Sequence, residues 1–314
     1  MNDTPPRPPA ASGAESFLNR LSAGILKRLV TLFSHLPMAG KINLRDIMEN
    51  QTERILNLPG MLPFFPTRMT ELGRISSLLH SLHPVSCSKP LIRLGADSDG
   101  GYLVPDDLDG IVACFSPGVS DNSGFELSLA ERGIPIFLAD ASVDAPAVKH
   151  EKFHFQKKFV GGATHGDFVT LEDWIESCLR GGDGDLLLQM DIEGFEYESI
   201  LATSGDAIRR FRIIVIEFHF LDRLFSEPCF ELYAKVFEKL LLTHRCVHIH
   251  PNNVCGTIRV GKFEIPQMAE FTFYGNDRIL NADFVSNYPH PLDQDNVPEN
   301  PHVILPASCY RSTV

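Results

Sequence analysis

The sequence predicts an α/β fold built on a doubly wound, mainly parallel sheet. From about residue 91 onward, short apolar runs rich in β-branched and aromatic residues alternate with helical patterns. Two of these runs, 186–190 and 213–218, have almost no polar alternation, as expected of central strands covered on both faces. Of the 314 residues, 44% are hydrophobic and 22% are charged, which excludes a fully disordered chain and a collagen-like fibre.

The N-terminal part of the chain precedes this alternating pattern. Residues 1–14 are rich in Pro, Ala, Ser and Gly and are predicted to form a disordered tail. Residues 15–90 are predicted to form an N-terminal helical extension, interrupted by prolines in its second half. Within residues 16–36, apolar side chains recur every three or four positions with basic residues among them. This amphipathic helix could pack on the main domain, or contact an anionic membrane surface or a protein partner.

The remaining residues, 91–314, are predicted to form one domain. Its expected strands are 111–115, 134–139, 153–160, 186–190, 213–218, 246–250 and 268–273. Its expected helices are 124–132, 170–179, 195–203 and 229–242. Upstream of these elements, Gly100 and Gly101 lie between polar residues, a pattern that predicts a tight turn or hairpin bend.

Charge and cysteine content limit the partners and the compartment. The net charge of −12, from 40 acidic and 28 basic residues, disfavours nucleic acid as a partner. The seven cysteines are scattered without a CxxC pair, which argues against a disulfide framework or a cysteine zinc site. The first residues lack the apolar core of a secretory signal, and no apolar run reaches the roughly 18 residues of a membrane span. We therefore expect a cytoplasmic location.

In an open parallel sheet, ligands bind at the carboxyl ends of the strands. The first strand is followed by a Ser116–Gly124 loop, in which Gly118 would let a ligand approach the backbone. The loop is not GxGxxG, which weakens a nicotinamide interpretation, and it could equally be an ordinary turn capped by Ser123. Asp140, after the second strand, could accept hydrogen bonds from a ribose diol or could be a cap or turn acid.

The richest cluster of ionisable residues follows the strand at 186–190. Asp191 and Glu193 could hold a divalent cation, orient a cationic ligand or act as a general base. Alternatively, Asp191 caps the next helix and Glu193 lies in its first turn. Alternation places Glu217 and His219 on one side of the following strand, where His219 could take a proton from a hydroxyl or serve only the structure. His248 and His250 could ligate a metal, but the sequence identifies no third ligand.

Taken together, the motifs between residues 91 and 275 resemble the FkbM-type family of S-adenosylmethionine-dependent methyltransferases. The residues that carry the resemblance are Arg93-Leu94-Gly95, Asp99-Gly100-Gly101-Tyr102, Phe115-Ser116-Pro117-Gly118-Val119-Ser120, Asp140, Leu171-Glu172-Asp173-Trp174, Gln189-Met190-Asp191-Ile192-Glu193-Gly194 and Glu217-Phe218-His219. The Asp-Ile-Glu-Gly stretch after an apolar strand is the most specific of them. The resemblance implies a Rossmann-like, class I methyltransferase sheet of seven strands, the last antiparallel, and methyl transfer mostly to a hydroxyl oxygen.

The resemblance also implies roles for particular residues. On the cofactor side, Ser116 and Gly118 would line the methionine part of S-adenosylmethionine and Asp140 would hold its ribose. The cofactor site would be closed by Asp99, Gly100, Gly101 and Tyr102. On the acceptor side, Asp191, Glu193 and His219 would be catalytic, with Asp191 also near the cofactor. A divalent metal, if the enzyme uses one, would bridge Asp191 and Glu193.

The predicted function is therefore S-adenosylmethionine-dependent O-methylation of a hydroxyl on a small molecule or sugar. Two alternatives from other classes stay open. One is a methyltransferase-fold scaffold that has lost activity, and the other is an oxidoreductase or nucleotide-sugar enzyme on a similar sheet. The sequence does not select the acceptor or the oligomeric state, because function depends on the site rather than on the fold.

Overall fold

The fold is taken from a computed structural model, which describes residues 67–119, 122–261 and 263–310. The predicted tail at 1–14 and the predicted amphipathic helix at 16–36 lie outside these described residues. Among the described residues, none of the helices is both long and apolar enough to cross a bilayer.

Helices and strands alternate through most of the described chain. The α-helices are Leu72–Ser81 (α1), Gly124–Ala130 (α2), Leu171–Leu179 (α3), Glu196–Ala202 (α4), Gly205–Arg209 (α5) and Glu227–Leu241 (α6). The strands are Leu91–Leu94 (β1), Tyr102–Pro105 (β2), Ile111–Pro117 (β3), Ile136–Ala139 (β4), Phe153–Gln156 (β5), Phe159–Val160 (β6), Phe168–Val169 (β7), Asp185–Met190 (β8), Phe211–Phe218 (β9), His244–Pro251 (β10), Thr257–Val260 (β11), Phe263–Pro266 (β12) and Ala269–Gly275 (β13).

A seven-stranded sheet organises the molecule, in the order β10-β13-β9-β8-β3-β4-β5. Neighbouring strands from β9 to β5 are parallel. Strand β13 runs antiparallel to both of its neighbours, β9 and β10. The predicted mainly parallel sheet of seven strands, with the last one antiparallel, is confirmed. The doubly wound arrangement stays a prediction.

Side chains of the central strands enter two apolar clusters in turn. In β8, Leu186 and Leu188 belong to one cluster, and Leu187 belongs to the other. This period of two follows from the pleat of a strand, and both clusters are fully buried here. Because both faces of the sheet are covered, its central strands need apolar residues at every position, which explains the apolar runs in the sequence. Three residues of α1 (Ile75, Leu78 and Leu79) belong to the first cluster. The predicted domain boundary at residue 90 stays a prediction.

Two local predictions can be compared with the described elements. The glycine pair lies in the turn of an antiparallel hairpin, since β1 pairs with β2 and Leu94 lies opposite Tyr102. The single strand predicted over 153–160 is wrong, because the chain forms β5, breaks, and continues as β6 in a different sheet. Lys157 and Lys158 lie at the break, and the Lys158 backbone N–H donates to the Gln156 carbonyl in a tight local turn.

Residues 276–310 follow the last sheet strand and contain no α-helix or sheet strand; we call them the C-terminal strap. The strap returns across the molecule, where the Asp99 N–H donates to the Asn296 carbonyl at 3.0 Å. The Val297 N–H donates to the Asn253 side chain at 2.9 Å, just beyond β10. The strap therefore joins the glycine loop between β1 and β2 to the end of β10.

Candidate functional site

The three predicted acceptor residues meet at the carboxyl ends of two neighbouring parallel strands. Asp191 directly follows β8, and His219 directly follows β9. The His219 Nε2 atom lies 3.3 Å from Glu193 Oε2 and 3.9 Å from Asp191 Oδ1. The fold thus places carboxylate oxygens of Asp191 and Glu193 within 4 Å of the His219 ring.

The His219 ring is oriented by a buried carboxylate. Its Nδ1 atom lies 3.1 Å from Glu196 Oε1, and Glu196 is fully buried. The same oxygen accepts hydrogen bonds from the backbone N–H groups of Ile192 and Gly194. Because an ionised carboxylate only accepts, this arrangement assigns the proton of the neutral ring to Nδ1 and leaves the Nε2 lone pair facing the site.

The charge state of His219 depends on opposing effects. Burial lowers the pKa of His219, but the hydrogen bond and charge of Glu196, with the charges of Asp191 and Glu193, raise its pKa above the ordinary value overall. A ring with a raised pKa is a stronger base once it has lost its proton. Orientation and basicity therefore both suit proton removal at Nε2.

The loop that carries Asp191 and Glu193 has an unusual backbone. Glu193 has a φ of 56° and Gly194 a φ of 104°. A Cβ at position 194 would lie 2.7 Å from the Phe220 ring, so this close approach requires glycine. Helix α4 begins only at Glu196, so the alternative interpretation of Asp191 as its cap and Glu193 as a first-turn acid is wrong. A left-handed non-glycine residue at a strand end is typical of a functional loop.

Two further carboxylates line the site from the sheet itself. Glu217 of β9 lies directly opposite Glu270 of β13, and both are buried. The Asn252 side chain donates to Glu217 Oε1 at 3.0 Å, and the Asn296 side chain donates to Glu270 Oε1 at 2.7 Å. Among the described residues, Glu217 Oε2 and Asp191 Oδ1 are buried without a hydrogen-bond partner.

Burial shifts the titration of this carboxylate group. It raises the pKa of Glu217 well above its ordinary range, with the charges of Asp191 and Glu270 adding to the effect. It also raises the pKa of Asp191 to about 7, against the opposing charge of His219. Like charges directly opposite in a sheet repel. The cluster therefore either holds protons or faces a cationic group.

The same residues also offer ligands for a divalent cation. Candidate ligand atoms of Asp191, Glu217 and His219 all lie within 4.8 Å of one another. Glu193, which the sequence paired with Asp191 for this role, has a side chain that is 85% exposed. Glu217 therefore suits the second carboxylate position better than Glu193 does.

The predicted cofactor-side residues lie around the ends of β3 and β4. Gly118 has a φ of 91°, and a Cβ there would overlap with the backbone carbonyl oxygen of Asp191. The Asp140 carboxylate accepts hydrogen bonds from the Val119 N–H at 3.0 Å and from the Ser142 N–H at 2.7 Å. Asp140 thus holds the turn after β3 in place, and no helix follows that it could cap.

The glycine loop between β1 and β2 packs against the loop after β3. The Asn122 side chain donates to the Asp99 carbonyl at 2.7 Å, and a Cβ at Gly100 would lie 2.9 Å from that side chain. A Cβ at Gly101 would overlap with the Ala96 carbonyl oxygen. The Asp99 carboxylate accepts from the Asn296 side chain at 3.1 Å. The fold therefore brings Asp99, Gly100 and Gly101 to the edge of the predicted cofactor region.

Ser116 and Tyr102 lie deeper than a ligand-lining role would require. The Ser116 hydroxyl is fully buried, 2.6 Å from Glu126 Oε1 and 2.7 Å from Gln189 Oε1, and Gln189 also donates to the Tyr102 hydroxyl. Burial raises the pKa of Glu126, so a protonated Glu126 can donate to the serine oxygen while the serine donates to Gln189. Only the Ser116 backbone is therefore free to contact a cofactor, and such a contact stays a prediction.

The expected serine cap of α2 is wrong. Ser123 is at the N-cap position, but its side chain makes no capping hydrogen bond. The Gly124 N–H instead donates to the Asn122 side chain at 2.9 Å. Asn122 therefore serves both this turn and the glycine loop.

Sequence reasoning did not identify Glu270, Asn252 or Asn296 as site residues. Glu270 carried a usable signal, because an acid in an otherwise apolar strand must face another polar group. Asn252 follows the end of β10, which is a usual place for a ligand-facing residue. Asn296 carried no signal in the sequence, since the strap has no periodic hydrophobic pattern.

Residues 152–246 match the family model described as the methyltransferase FkbM domain. No curated protein matches the chain. The matched segment runs from just before β5 into β10 and includes Asp191, Glu193, Glu217 and His219. The resemblance drawn from the motifs is thereby confirmed for residues 152–246, which are similar to the FkbM-type methyltransferases.

Proposed function

We propose that this methyltransferase uses S-adenosylmethionine and transfers the methyl group to a hydroxyl oxygen of a neutral, polyhydroxylated small molecule or sugar. The observation that carries the proposal is the His219 ring, held by Glu196 with Nε2 facing the buried oxygens of Asp191 and Glu217. This arrangement joins a base for a hydroxyl proton to an environment that suits a cationic group.

The residues present fit the cofactor. The place of Asp140 directly after β4 supports a contact with a ribose diol, as in nucleotide-binding sheets. The buried oxygens Asp191 Oδ1 and Glu217 Oε2 have no hydrogen-bond partner among the described residues and would attract a sulfonium. When bound, S-adenosylmethionine supplies a methyl group that is already activated, so the protein's tasks are alignment and proton removal.

In the proposed reaction His219 is the general base. Its Nε2 lone pair would take the proton of the acceptor hydroxyl, so that the oxygen can displace the thioether sulfur from the methyl carbon. Glu196, hydrogen-bonded at Nδ1, then stabilises the imidazolium that forms. A divalent ion bound by Asp191, Glu217 and His219 would occupy this same lone pair. We therefore assign proton removal to the protein base rather than to a metal.

The charge of the site favours neutral acceptors over anionic ones. Asp191, Glu193, Glu217 and Asp99 all present carboxylates, which repel phosphorylated or carboxylated substrates. Carboxylates also accept hydrogen bonds from sugar hydroxyls. A neutral glycoside satisfies both conditions.

An acceptor screen with labelled S-adenosylmethionine tests the proposal. We expect methyl transfer to neutral glycosides, weak transfer to their phosphorylated forms, and a loss on the order of 100-fold or more in His219→Ala. Rates should rise with pH through a value above about 6.5, because His219 acts unprotonated and its pKa is raised. His302→Ala, which changes a half-exposed histidine on the strap, is the matched control. A His219→Ala enzyme with full activity would overturn the assignment of the base.

A further inference from the structure

A second cluster of metal-ligating side chains lies outside the candidate active site. His248 and His250 of β10 meet Asp293 of the C-terminal strap, which lies 45 and 43 positions further along the chain. All three side chains are more than nine-tenths buried, with exposed fractions of 4%, 7% and 4%. The strap thus provides the third ligand that the sequence pattern of the two histidines lacked.

The three candidate ligand atoms lie close together. His248 Nε2 lies 2.8 Å and His250 Nδ1 lies 3.5 Å from the same oxygen, Asp293 Oδ1, and ligand atoms of all three lie within 4.8 Å of one another. With metal–ligand bonds of about 2.0–2.1 Å, such oxygen–nitrogen separations correspond to angles of roughly 85–120° at one ion. These values bracket the tetrahedral angle that zinc favours.

The carboxylate is held in a suitable orientation. Asp293 Oδ2 accepts a hydrogen bond from the His290 N–H at 2.8 Å, which leaves Oδ1 for the two imidazoles. Hydrogen bonds of this kind to a ligating carboxylate orient it toward the ion in characterised metal sites. The His248 ring is also stacked on Tyr288, with ring centroids 5.8 Å apart.

A simple ion-pair cluster accounts less well for His250. Its distance of 3.5 Å to Asp293 is long for a hydrogen bond, and within the described part of the chain its buried Nε2 has no partner. Glu270 lies opposite His250 in the sheet. A divalent ion would bind the His250 ring more closely than Asp293 alone does.

We propose that His248, His250 and Asp293 form a binding site for a divalent transition-metal ion, with zinc as the best match. Two imidazoles and one carboxylate are a recognised donor set for zinc and related ions. The site would fasten the strap to β10. Because Asp293 is three residues before Asn296, it would also keep the Asn296 side chain on Asp99 and Glu270. A cavity of about 180 Å³ that borders His248 and His290 offers a route for the ion.

Metal analysis of the untagged, full-length protein tests the proposal directly. After dialysis against metal-free buffer, we expect about one tightly held zinc ion per chain. Asp293→Asn and His248→Ala should retain about a tenth of that or less, while the strap variant His302→Ala should retain it fully. His219→Ala should also keep its zinc, which separates this cluster from the Asp191, Glu217 and His219 ligands.

Thermal unfolding provides a second readout that does not depend on methyl transfer. Adding zinc to the chelator-treated protein should raise the unfolding midpoint on the order of 5–10 °C, and magnesium should not. Asp293→Asn should show no such rise. If the wild type binds no zinc, or if Asp293→Asn binds as much as the wild type, the three residues are a buried ion-pair cluster and the proposal is wrong. Should either variant fail to fold, the zinc content of the wild type still decides the first of these outcomes.

Discussion

At the scale of single residues, the candidate site combines buried carboxylates, each of which would lower the stability of the fold if it were buried alone. Asp191, Glu217 and Glu270 are carboxylates in a low-dielectric environment, and their raised pKa values have burial as the largest cause. Such shifts lower stability at neutral pH and are typical of functional sites. The site thus retains charge that a purely structural strand end would replace with apolar residues.

Asp191→Asn should remove a pH-dependent loss of stability. The folded-state pKa of Asp191 is about 7, whereas an unfolded aspartate titrates near 3.9. Between these two pKa values Asp191 is ionised in the unfolded chain but still protonated in the folded protein. The free energy of unfolding therefore falls as pH rises. We expect the variant to gain up to about 4 kcal/mol relative to the wild type between pH 4 and pH 8.

Urea denaturation at the two pH values measures this difference. Asp206→Asn changes an acid whose side chain is 94% exposed and serves as the control. If the wild type and Asp191→Asn lose stability in parallel as pH rises, Asp191 does not carry the raised pKa.

Gly118→Ala should destabilise the protein by about 3 kcal/mol or more. The position needs a left-handed backbone, and a methyl group there would overlap with the Asp191 carbonyl. Gly73→Ala is the matched control, since it lies in α1 with open space around it and should stabilise by about 1 kcal/mol. Chemical denaturation of both variants checks the prediction, and similar effects of the two substitutions would contradict it.

At the scale of elements, the Leu171–Trp174 motif has structural roles in α3. The Thr170 side chain caps the helix by accepting from the Asp173 N–H at 3.1 Å. Glu172 accepts hydrogen bonds from the Ser204 N–H and hydroxyl at the start of α5. Trp174 packs edge-on against Phe115 of β3, with ring centroids 5.0 Å apart. These residues hold α3 and α5 in position relative to β3 and do not themselves bring chemistry to the site.

Thr170→Ala should therefore cost about 1 kcal/mol of folding free energy through the lost cap. Thr170→Ser keeps the hydroxyl and should therefore keep most of the folding free energy that Thr170→Ala loses. The midpoint of a urea transition measures both variants. Equal stability of Thr170→Ala and Thr170→Ser would show that the cap does not contribute.

Sequence patterns located most of the sheet because its strands are apolar and short. Strands β8 and β9 begin one or two residues before their predicted starts and end at their predicted ends, and alternation correctly placed Glu217 beside His219, with 4.0 Å between Oε1 and Nε2. The small residues after the apolar run predict a loop position for Ser116. Strand β3 instead extends to Pro117, where Ser116 pairs with Leu138 and its side chain is buried.

The contributions of the strap could not be predicted in this way. Asn296 and Asp293 are in a segment without hydrophobic periodicity, and their partners are distant in sequence. Local patterns report which face of an element is apolar, but they do not report where an irregular segment docks. The acids of the sheet edge were therefore visible in the sequence, and the amides and carboxylate that complete their surroundings were not.

At the scale of the whole molecule, the fold gathers separate parts of the chain around one sheet edge. The glycine loop supplies Asp99, the strand ends supply Asp191 and His219, and the strap supplies Asn296. Asp99 and Asp191 bring acidic groups to this edge, and the whole chain carries a net charge of −12. The family match covers residues 152–246, so the cofactor-side loops at 95–101 and 116–124 lie outside it.

The central claim is that this chain binds S-adenosylmethionine, and calorimetric titration with S-adenosylhomocysteine tests it most directly. We predict binding in the micromolar range that Asp140→Ala weakens by about 1–3 kcal/mol, the cost of losing a charged hydrogen-bond partner. Asp144→Ala removes a nearby acid whose side chain is 96% exposed and should bind as the wild type does. Absence of binding by the folded wild-type protein would contradict the account and favour a scaffold or a different cofactor.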